Sequence, residues 1–247
     1  MMRTAVNDLL YGALKLEQPL RGYRVNMDSV LLAAFARIRT GDRVFELGCG
    51  SGAVLLILGW RYPDLGSLKG IEIQEEMAQM AVRNAVRNGM EDRISIVTGD
   101  LRNLRSGGEG GFCTVVVGNP PYDEKNRSRP SPVSGQAVSR HGAACTLEDV
   151  LAGASRSLAR KGRFYTVFRA SRLGELLGGL LKVQLQPKRI RMVHPDPASE
   201  ATVVLVESAK EGGPGMVVEP PLWIRDRRGA FSPEYLFAYT REGWICP

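Results

Sequence analysis

The chain has 247 residues, of which 44% are hydrophobic and 24% charged, which excludes a largely disordered protein and fits one α/β domain with a large core. No run of 18 apolar residues occurs, and the four cysteines and two histidines match no metal-ligand spacing, so we expect a soluble, cytoplasmic protein with free thiols and no metal. The formal net charge of +7 favours an anionic partner such as nucleic acid.

Residues 1–42 predict a helical arm that packs on the domain that follows. Two short amphipathic patches, 6–16 and 29–38, flank a polar stretch in this arm. Asp28 or Ser29 is the expected N-cap of the second helix, because both side chains can accept a hydrogen bond from the first helical turn.

A glycine-rich loop follows the first predicted buried strand, 43–47. The loop reads Glu46-Leu47-Gly48-Cys49-Gly50-Ser51-Gly52, and its alternate glycines let the backbone turn tightly and come close to a ligand. A second predicted strand, 67–73, ends in Glu72, whose carboxylate is placed to accept hydrogen bonds from both hydroxyls of a ribose. The loop lacks the third glycine of the fingerprint G-x-G-x-x-G, so we expect a nucleoside with an uncharged linker, such as S-adenosylmethionine, instead of a pyrophosphate.

A third acidic residue falls at the same edge of the predicted sheet. Residues 74–88 predict a long helix that ends at Gly89, and 93–98 predict the third strand. Asp100 follows this strand, as Glu72 follows the second one. We therefore expect Asp100 to accept a hydrogen bond from the amino group of an adenine.

The tetrapeptide Asn119-Pro120-Pro121-Tyr122 directly follows an apolar run, 113–118, that predicts a buried strand. A planar amine is a poor nucleophile because its lone pair is delocalised. The side-chain oxygen of Asn119 and the carbonyl of Pro120 could accept both N–H groups and aim the lone pair at an electrophile, while Tyr122 offers a face on which a base can stack. An ordinary strand-to-loop turn is the alternative.

Two basic segments are candidates for contact with a phosphate backbone. The long polar segment 123–144 carries Lys125, Arg127, Arg129 and Arg140, and the predicted strand 182–193 carries Lys188, Arg189 and Arg191. A solvated loop and a solvated edge strand are the respective alternatives.

The remaining elements complete an α/β pattern. A capping box of Thr146 with Asp149 begins a helix that reaches residue 159. Further elements are a strand at 164–168, a helix at 173–181, a hairpin of strands at 182–193 and 201–208, and a short helix after Ser232. Five βα units and a final hairpin predict a Rossmann-like, seven-stranded, mostly parallel sheet. We divide the chain into the arm 1–42, a main domain 43–208 and a C-terminal extension of the same domain, 209–247.

These motifs resemble the class I S-adenosylmethionine-dependent methyltransferases that methylate amino groups, whose signature at the fourth strand is Asn/Asp-Pro-Pro-aromatic. Segments spread over most of the chain are similar to the bacterial tRNA adenine-N6 methyltransferases that act beside the anticodon of valine tRNA. The segments are 24–29, 48–52, 119–122, 139–141, 146–149 and 193–195.

The resemblance implies a role for each motif. The residues implied in cofactor binding are Glu46, Gly48, Cys49, Gly50, Gly52, Glu72, Ile73, Asp100, Leu101 and Asn119, with Asn26 and Asp28 near the methionine end. Asn119 and Pro120 would bind the target amine and Tyr122 would stack on the base. Direct in-line methyl transfer would then depend on positioning, without a general base.

Three other functions stay open at this point. A guanine-N2 methyltransferase of ribosomal RNA and a DNA adenine-N6 methyltransferase use similar tetrapeptides. A non-catalytic nucleic-acid-binding module that keeps the fold is the alternative from a different class. The sequence leaves open the RNA species, the methylated position and whether the protein is a monomer or a weak dimer.

Overall fold

The computed structural model describes residues 2–21, 25–107, 112–120 and 145–244. The strands are β1 (Thr4–Leu9), β2 (Leu14–Pro19), β3 (Arg43–Leu47), β4 (Ser67–Glu72), β5 (Ile94–Thr98), β6 (Cys113–Gly118), β7 (Leu158–Arg169), β8 (Leu185–His194), β9 (Val203–Lys210), β10 (Val217–Val218) and β11 (Leu222–Trp223). The α-helices are α1 (Met27–Phe35), α2 (Ala53–Arg61), α3 (Glu75–Arg87), α4 (Leu147–Ser157), α5 (Leu173–Lys182) and α6 (Pro233–Phe237). Two 3-10 turns lie at Leu101–Asn103 and Ala170–Arg172.

The main sheet has the strand order β10-β8-β9-β7-β6-β3-β4-β5, and β11 also pairs with β8. All neighbours are parallel except β9, which runs antiparallel to both β7 and β8. The predicted α/β fold with a mostly parallel sheet is therefore confirmed. The main sheet has nine strands in the described chain, two more than the expected seven, because β10 and β11 are only two residues long and carry no pattern that predicts them.

Helices cover the sheet on both faces and create two apolar cores. One core joins α1 and α2 to the sheet, and the other joins α4 and α5 to the opposite face. The β6 residues Val115, Val116 and Val117 are fully buried because this central strand faces a core on each side. The continuous apolar run that predicted β6 follows from this double coverage.

Several predicted elements have the expected bounds. Strands β3 and β6 match the predictions for 43–47 and 113–118, and β8 and β9 form the predicted hairpin. The capping box of α4 is present: the Thr146 hydroxyl accepts from the Asp149 backbone N–H at 3.2 Å, and the Asp149 carboxylate accepts from the Thr146 N–H at 3.0 Å. Local capping chemistry sufficed to predict this helix start.

Two expectations about the N-terminal arm are wrong. The patch at 6–16 belongs to an antiparallel hairpin of β1 and β2, not to a helix. The chain reverses at Leu10, Tyr11 and Gly12, which all have positive φ, and such residues end a regular helix. Asn26, not Asp28 or Ser29, caps α1, since its side chain accepts from the Asp28 backbone N–H.

No helix in the described part of the chain combines the length and the apolar character that a bilayer span requires.

Candidate functional site

The carboxyl edge of the sheet opens between β3 and β6. Leu47 of β3 lies level with Ile71 of β4 on one side and with Gly118 of β6 on the other. The chain continues from β3 to β4 in one direction and from β6 to β7 in the other, so the strand order reverses here. Open α/β sheets bind ligands in the crevice at this kind of point. The glycine loop follows β3 and Asn119-Pro120 follows β6, so both predicted motifs border one crevice.

Glu72, the last residue of β4, holds the glycine loop in place. One carboxylate oxygen accepts from the Gly50 backbone N–H at 3.0 Å, and the other accepts from the Gln74 N–H at 2.9 Å. Gly48 has a φ of +67° and a Cβ built there would meet nothing within 4 Å, so this glycine borders open space. Each oxygen of the Glu72 carboxylate can accept more than one hydrogen bond, which fits its predicted contact with ribose hydroxyls.

The glycine loop packs closely against α3 and β4, which fixes its position relative to the sheet. Gly52 has a φ of +82°, and a Cβ there would lie 3.2 Å from the Ala81 side chain. In β4, a Cβ at Gly70 would lie 2.8 Å from the Cys49 sulfur, so only glycine permits this approach. Burial and the neighbouring Glu46 carboxyl raise the pKa of the Cys49 thiol well above its usual range. Cys49 therefore acts as a packed, unreactive thiol.

Glu46 lies in β3 with its side chain buried under the loop. Desolvation raises the pKa of its carboxyl well above the ordinary value; a hydrogen bond from the Leu55 backbone N–H opposes this shift and the Glu72 charge adds to it. Its Oε2 has no hydrogen-bond partner within the described ranges. A buried acceptor without a donor costs free energy. A water or a cationic ligand group can satisfy it, so Glu46 fits the ammonium-bearing end of the predicted cofactor.

Asp100 follows β5 and is bound by its near neighbour Arg102. The Arg102 guanidinium donates to Oδ1 of the carboxylate at 3.0 Å and to Oδ2 at 2.6 Å, and holds the pKa of Asp100 below its usual range. The predicted bond from an adenine amino group must therefore share this carboxylate with Arg102. Leu101 is buried, whereas Ile73, directly after β4, exposes 47% of its surface and offers an apolar face at the same edge.

Asn119 and Pro120 come directly after β6, one strand away from the glycine loop. Asn119 is partly exposed and Pro120 is buried. Because this part of the sheet is parallel, Asn119 lies about 10 Å, or two strand spacings, from Glu72. Further predicted residues of the site lie outside the described ranges, namely Tyr122, Lys125, Arg127, Arg129 and Arg140.

Asn26 and Asp28 form the N-terminal cap of α1. The Asn26 amide accepts from the Asp28 backbone N–H at 3.0 Å and donates to the Asp28 carboxylate at 2.8 Å. Two residues past the other end of the helix, the Arg37 carbonyl accepts from Arg163 of β7, which lies level with Val115 in the amino-terminal half of β6. One helix length, about 13 Å, carries Asn26 back toward the carboxyl edge. Their contact with a cofactor stays a prediction.

The expected basic patch on β8 is wrong for two of its three residues. Arg189 is buried and pairs with Glu207 at 2.8 Å and with Glu219 at 3.0 Å, and its guanidinium lies 3.7 Å from the Phe35 ring centre. Arg191 is also buried and pairs with Glu234. Their acidic partners are distant in sequence. The segment 182–195 contains no acidic residue, and for that reason its arginines were predicted to be unpaired.

Lys188, the third residue of the patch, donates to three backbone carbonyls of the C-terminal segment, the nearest being Gly215 at 2.9 Å. The Lys188 ammonium therefore donates its hydrogen bonds to the protein's own backbone. Contact between Lys188 and RNA stays a prediction.

Asn84 of α3 is a site residue that the sequence reasoning missed. Its fully buried amide donates to the carbonyls of Ser51 in the loop at 3.0 Å and of Glu17 in β2 at 2.8 Å, and accepts from the Glu17 N–H at 2.7 Å. Arg83 anchors the Glu17 carboxylate at 3.0 Å. The sequence did contain a signal for this role: Asn84 shares the apolar face of the predicted helix, and a buried amide needs hydrogen-bond partners.

Comparison with known proteins gives concordant matches. Residues 44–126 match the model of a methyltransferase domain family. A tRNA1(Val) (adenine(37)-N6)-methyltransferase from Bacteroides fragilis is 31% identical over 224 residues, covering 90% of this chain and 91% of that protein. The enzyme of the same name from Bacteroides thetaiotaomicron is 32% identical over 144 residues, covering 58% of this chain and 59% of that protein.

Among solved structures, a predicted O-methyltransferase from Agrobacterium tumefaciens superimposes with a TM-score of 0.67 over 86% of this chain and 97% of that chain. The sequence identity between the two is 21%, so this likeness shows the class I methyltransferase fold alone.

Proposed function

This chain belongs to the family of tRNA1(Val) (adenine(37)-N6)-methyltransferases, and from that membership we propose that it methylates N6 of adenine 37 in valine tRNA. The chain is an S-adenosylmethionine-dependent methyltransferase of adenine N6 in tRNA. The position and the tRNA species are the proposed part. The observation that carries the proposal is the placement of Asn119 one strand away from a glycine loop held by Glu72.

The cofactor site is proposed along the carboxyl ends of β3, β4 and β5. Glu72 would accept from the ribose hydroxyls, with its orientation already fixed by the Gly50 and Gln74 N–H groups. Gly48 would let the loop backbone lie against the ligand, and Asp100 would reach the adenine together with Arg102. When bound, S-adenosylmethionine supplies an electrophilic methyl group on a sulfonium.

Asn119 and Pro120 are proposed to hold the target amine. The Asn119 side-chain oxygen and the Pro120 carbonyl would each accept one N–H of the adenine amino group and direct the nitrogen lone pair at the methyl group. The rate gain then comes from holding the reacting atoms about 3–3.5 Å apart. The target amine needs no general base, because its nitrogen loses the proton after the new bond to the methyl group has formed.

The test is nucleoside analysis of tRNA after incubation with labelled S-adenosylmethionine. We expect label in N6-methyladenosine, at position 37 of valine tRNA when fragments are mapped. Label confined to N2-methylguanosine of ribosomal RNA, or to adenine in DNA, would replace the proposal with that function. Absence of label in every nucleic acid tried would refute catalysis on nucleic acid altogether.

The Asn119→Ala variant tests the mechanism. We expect the rate of methyl transfer to fall by at least about a hundredfold, while the Kd for S-adenosylmethionine changes by less than about threefold. Asn88→Ala is the matched control, because Asn88 lies at the far end of α3, where its amide donates to the Lys15 carbonyl. An unchanged rate in the Asn119 variant would remove this residue from the mechanism.

A further inference from the structure

The buried arginines of β8 fasten the C-terminal segment to the edge of the sheet. Arg189 pairs with Glu219 at 3.0 Å, and Arg191 donates to the Pro220 carbonyl at 3.1 Å and pairs with Glu234. The Arg191 guanidinium also lies 4.8 Å from the Trp244 ring centre. The segment around β10, β11 and α6 is therefore a fixed part of the fold.

Beyond β11 the chain projects past the edge of the sheet that carries the site. β11 runs parallel to the end of β8, with Trp223 level with His194. The next two residues continue along β8, because Ile224 donates to the His194 carbonyl and Arg225 to the Pro195 carbonyl, both at 2.9 Å. β8 and β6 point the same way, and four strand spacings separate β11 from β6, which is about 19 Å.

Residues 223–231 form a reverse turn, named here the C-terminal turn, with a fixed conformation. The Asp226 carboxylate accepts from the backbone N–H groups of Arg228 at 2.8 Å and Ala230 at 3.1 Å. The Asp226 N–H donates to the Ala230 carbonyl at 2.8 Å, and Gly229 adopts a φ of +82° at the bend. Because the backbone of this turn is already ordered, a partner that binds its side chains does not have to order the backbone as well.

The exposed surface of the C-terminal turn combines aromatic rings with cations. Trp223 and Phe231 expose 44% and 45% of their surfaces, and the Arg225 guanidinium lies 4.3 Å from the Phe231 ring centre. Arg227 and Arg228 are exposed, and neither makes a salt bridge with another residue in the described part of the chain. Exposed rings and guanidinium groups without ion-pair partners on the same turn suit unpaired bases and phosphates.

We propose that the C-terminal turn is a second contact surface for the tRNA substrate, separate from the place where Asn119 holds the target adenine. Arg227 and Arg228 contact phosphates, and Trp223 stacks on an unpaired base. The separation of about 19 Å from Asn119 is comparable to the width of a nucleic-acid helix, so one stem-loop can contact both places. This inference rests on the proposed function, since it names where the tRNA of that reaction binds.

The first test removes two charges with Arg227→Gln and Arg228→Gln in one chain. We expect the Kd for tRNA to rise about tenfold at 0.15 M salt, and the slope of log Kd against log salt to fall by about 2. The KM for tRNA should rise in parallel. The kcat at saturating tRNA and the Kd for S-adenosylmethionine should stay within twofold of wild type, because neither arginine touches the reacting groups.

The second test is Trp223→Ala. Loss of stacking should raise the Kd for tRNA at least about fivefold while leaving the salt slope unchanged, because no charge is removed. A thermal melt of each variant checks the fold independently of RNA binding.

The matched control is Arg39→Gln with Lys182→Gln, which removes the same charge from exposed side chains at the amino edge of the sheet. An equal rise in the Kd for tRNA in both double variants would show that only the net charge matters, and it would overturn the inference. An unchanged Kd and slope in the Arg227/Arg228 variant would also overturn it, even with wild-type tRNA methylation intact. Failure of the wild-type enzyme to label tRNA would refute the proposed function instead.

Discussion

Replacing Asn84 with Ala should weaken the fold and the cofactor loop together. The buried Asn84 amide is the hydrogen-bond partner of three backbone groups, namely the Glu17 N–H, the Glu17 carbonyl and the Ser51 carbonyl. Each buried polar group left unpaired costs about 1–3 kcal/mol, and water entering the vacated space recovers part of that. We therefore expect the free energy of unfolding to fall by about 3–5 kcal/mol.

The cofactor should also bind more weakly in this variant, because the Ser51 carbonyl belongs to the loop that is expected to hold it. Loss of one restraining hydrogen bond corresponds to a rise of up to about tenfold in the Kd for S-adenosylmethionine. Urea denaturation gives the stability and isothermal titration calorimetry gives the affinity. Asn103→Ala, at an exposed amide, is the control and should change stability by less than about 0.5 kcal/mol.

Two results would contradict this reasoning about Asn84. A free energy of unfolding within about 1 kcal/mol of wild type would show that the three bonds contribute little net stability. A large loss of stability with an unchanged Kd would confirm the bonds but separate them from the loop.

Two further substitutions, at Glu46 and Gly52, test the packing and burial that support the glycine loop. Above about pH 4.5 the unfolded chain ionises Glu46 while burial keeps it protonated in the folded state, so wild-type stability should fall as pH rises until the raised folded pKa is reached. That fall in the free energy of unfolding amounts to at most about 1.4 kcal/mol per pH unit, and Glu46→Gln should abolish it. The same change in the free energy of unfolding from pH 5 to 8 in wild type and variant, measured by urea denaturation, would contradict this. Gly52→Ala places a Cβ 3.2 Å from Ala81 at a φ of +82°, so thermal melting should show a loss of about 1–3 kcal/mol. Gly213→Ala, in open space, should be near neutral, and equal Tm values for both glycine variants would refute the strain.

The parts of the site that could be predicted from sequence depend on short segments. The glycine loop, Glu72 and Asn119 each follow a buried strand, and parallel strands bring their carboxyl ends to one edge whatever the helices between them do. Strand β6 could be predicted with its observed bounds because both of its faces are covered. Local pattern and topology together were enough for these residues.

Other features depend on partners distant in sequence. Arg189 and Arg191 read as free charge because Glu207, Glu219 and Glu234 lie 18, 30 and 43 residues away from the arginine each one pairs with. The hairpin of β1 and β2 was mistaken for a helix because its residues satisfy an amphipathic pattern while tertiary packing on α3 decides the conformation. No local rule carries such information.

The pairing of β10 and β11 with β8 has a consequence for biosynthesis. These two short strands, with Glu219 and Ile224, whose N–H groups donate to the Ile190 and His194 carbonyls, cover the outer edge of a ten-residue strand. They are synthesised after the rest of the sheet, so at about 5–20 residues per second the nascent domain spends roughly a second or more with that edge uncovered. An uncovered edge is a template for pairing with another chain. Shortening the protein after β9 should therefore reduce soluble yield on expression, and it should also reduce stability, because it removes Glu219 and Glu234, the partners of the buried Arg189 and Arg191.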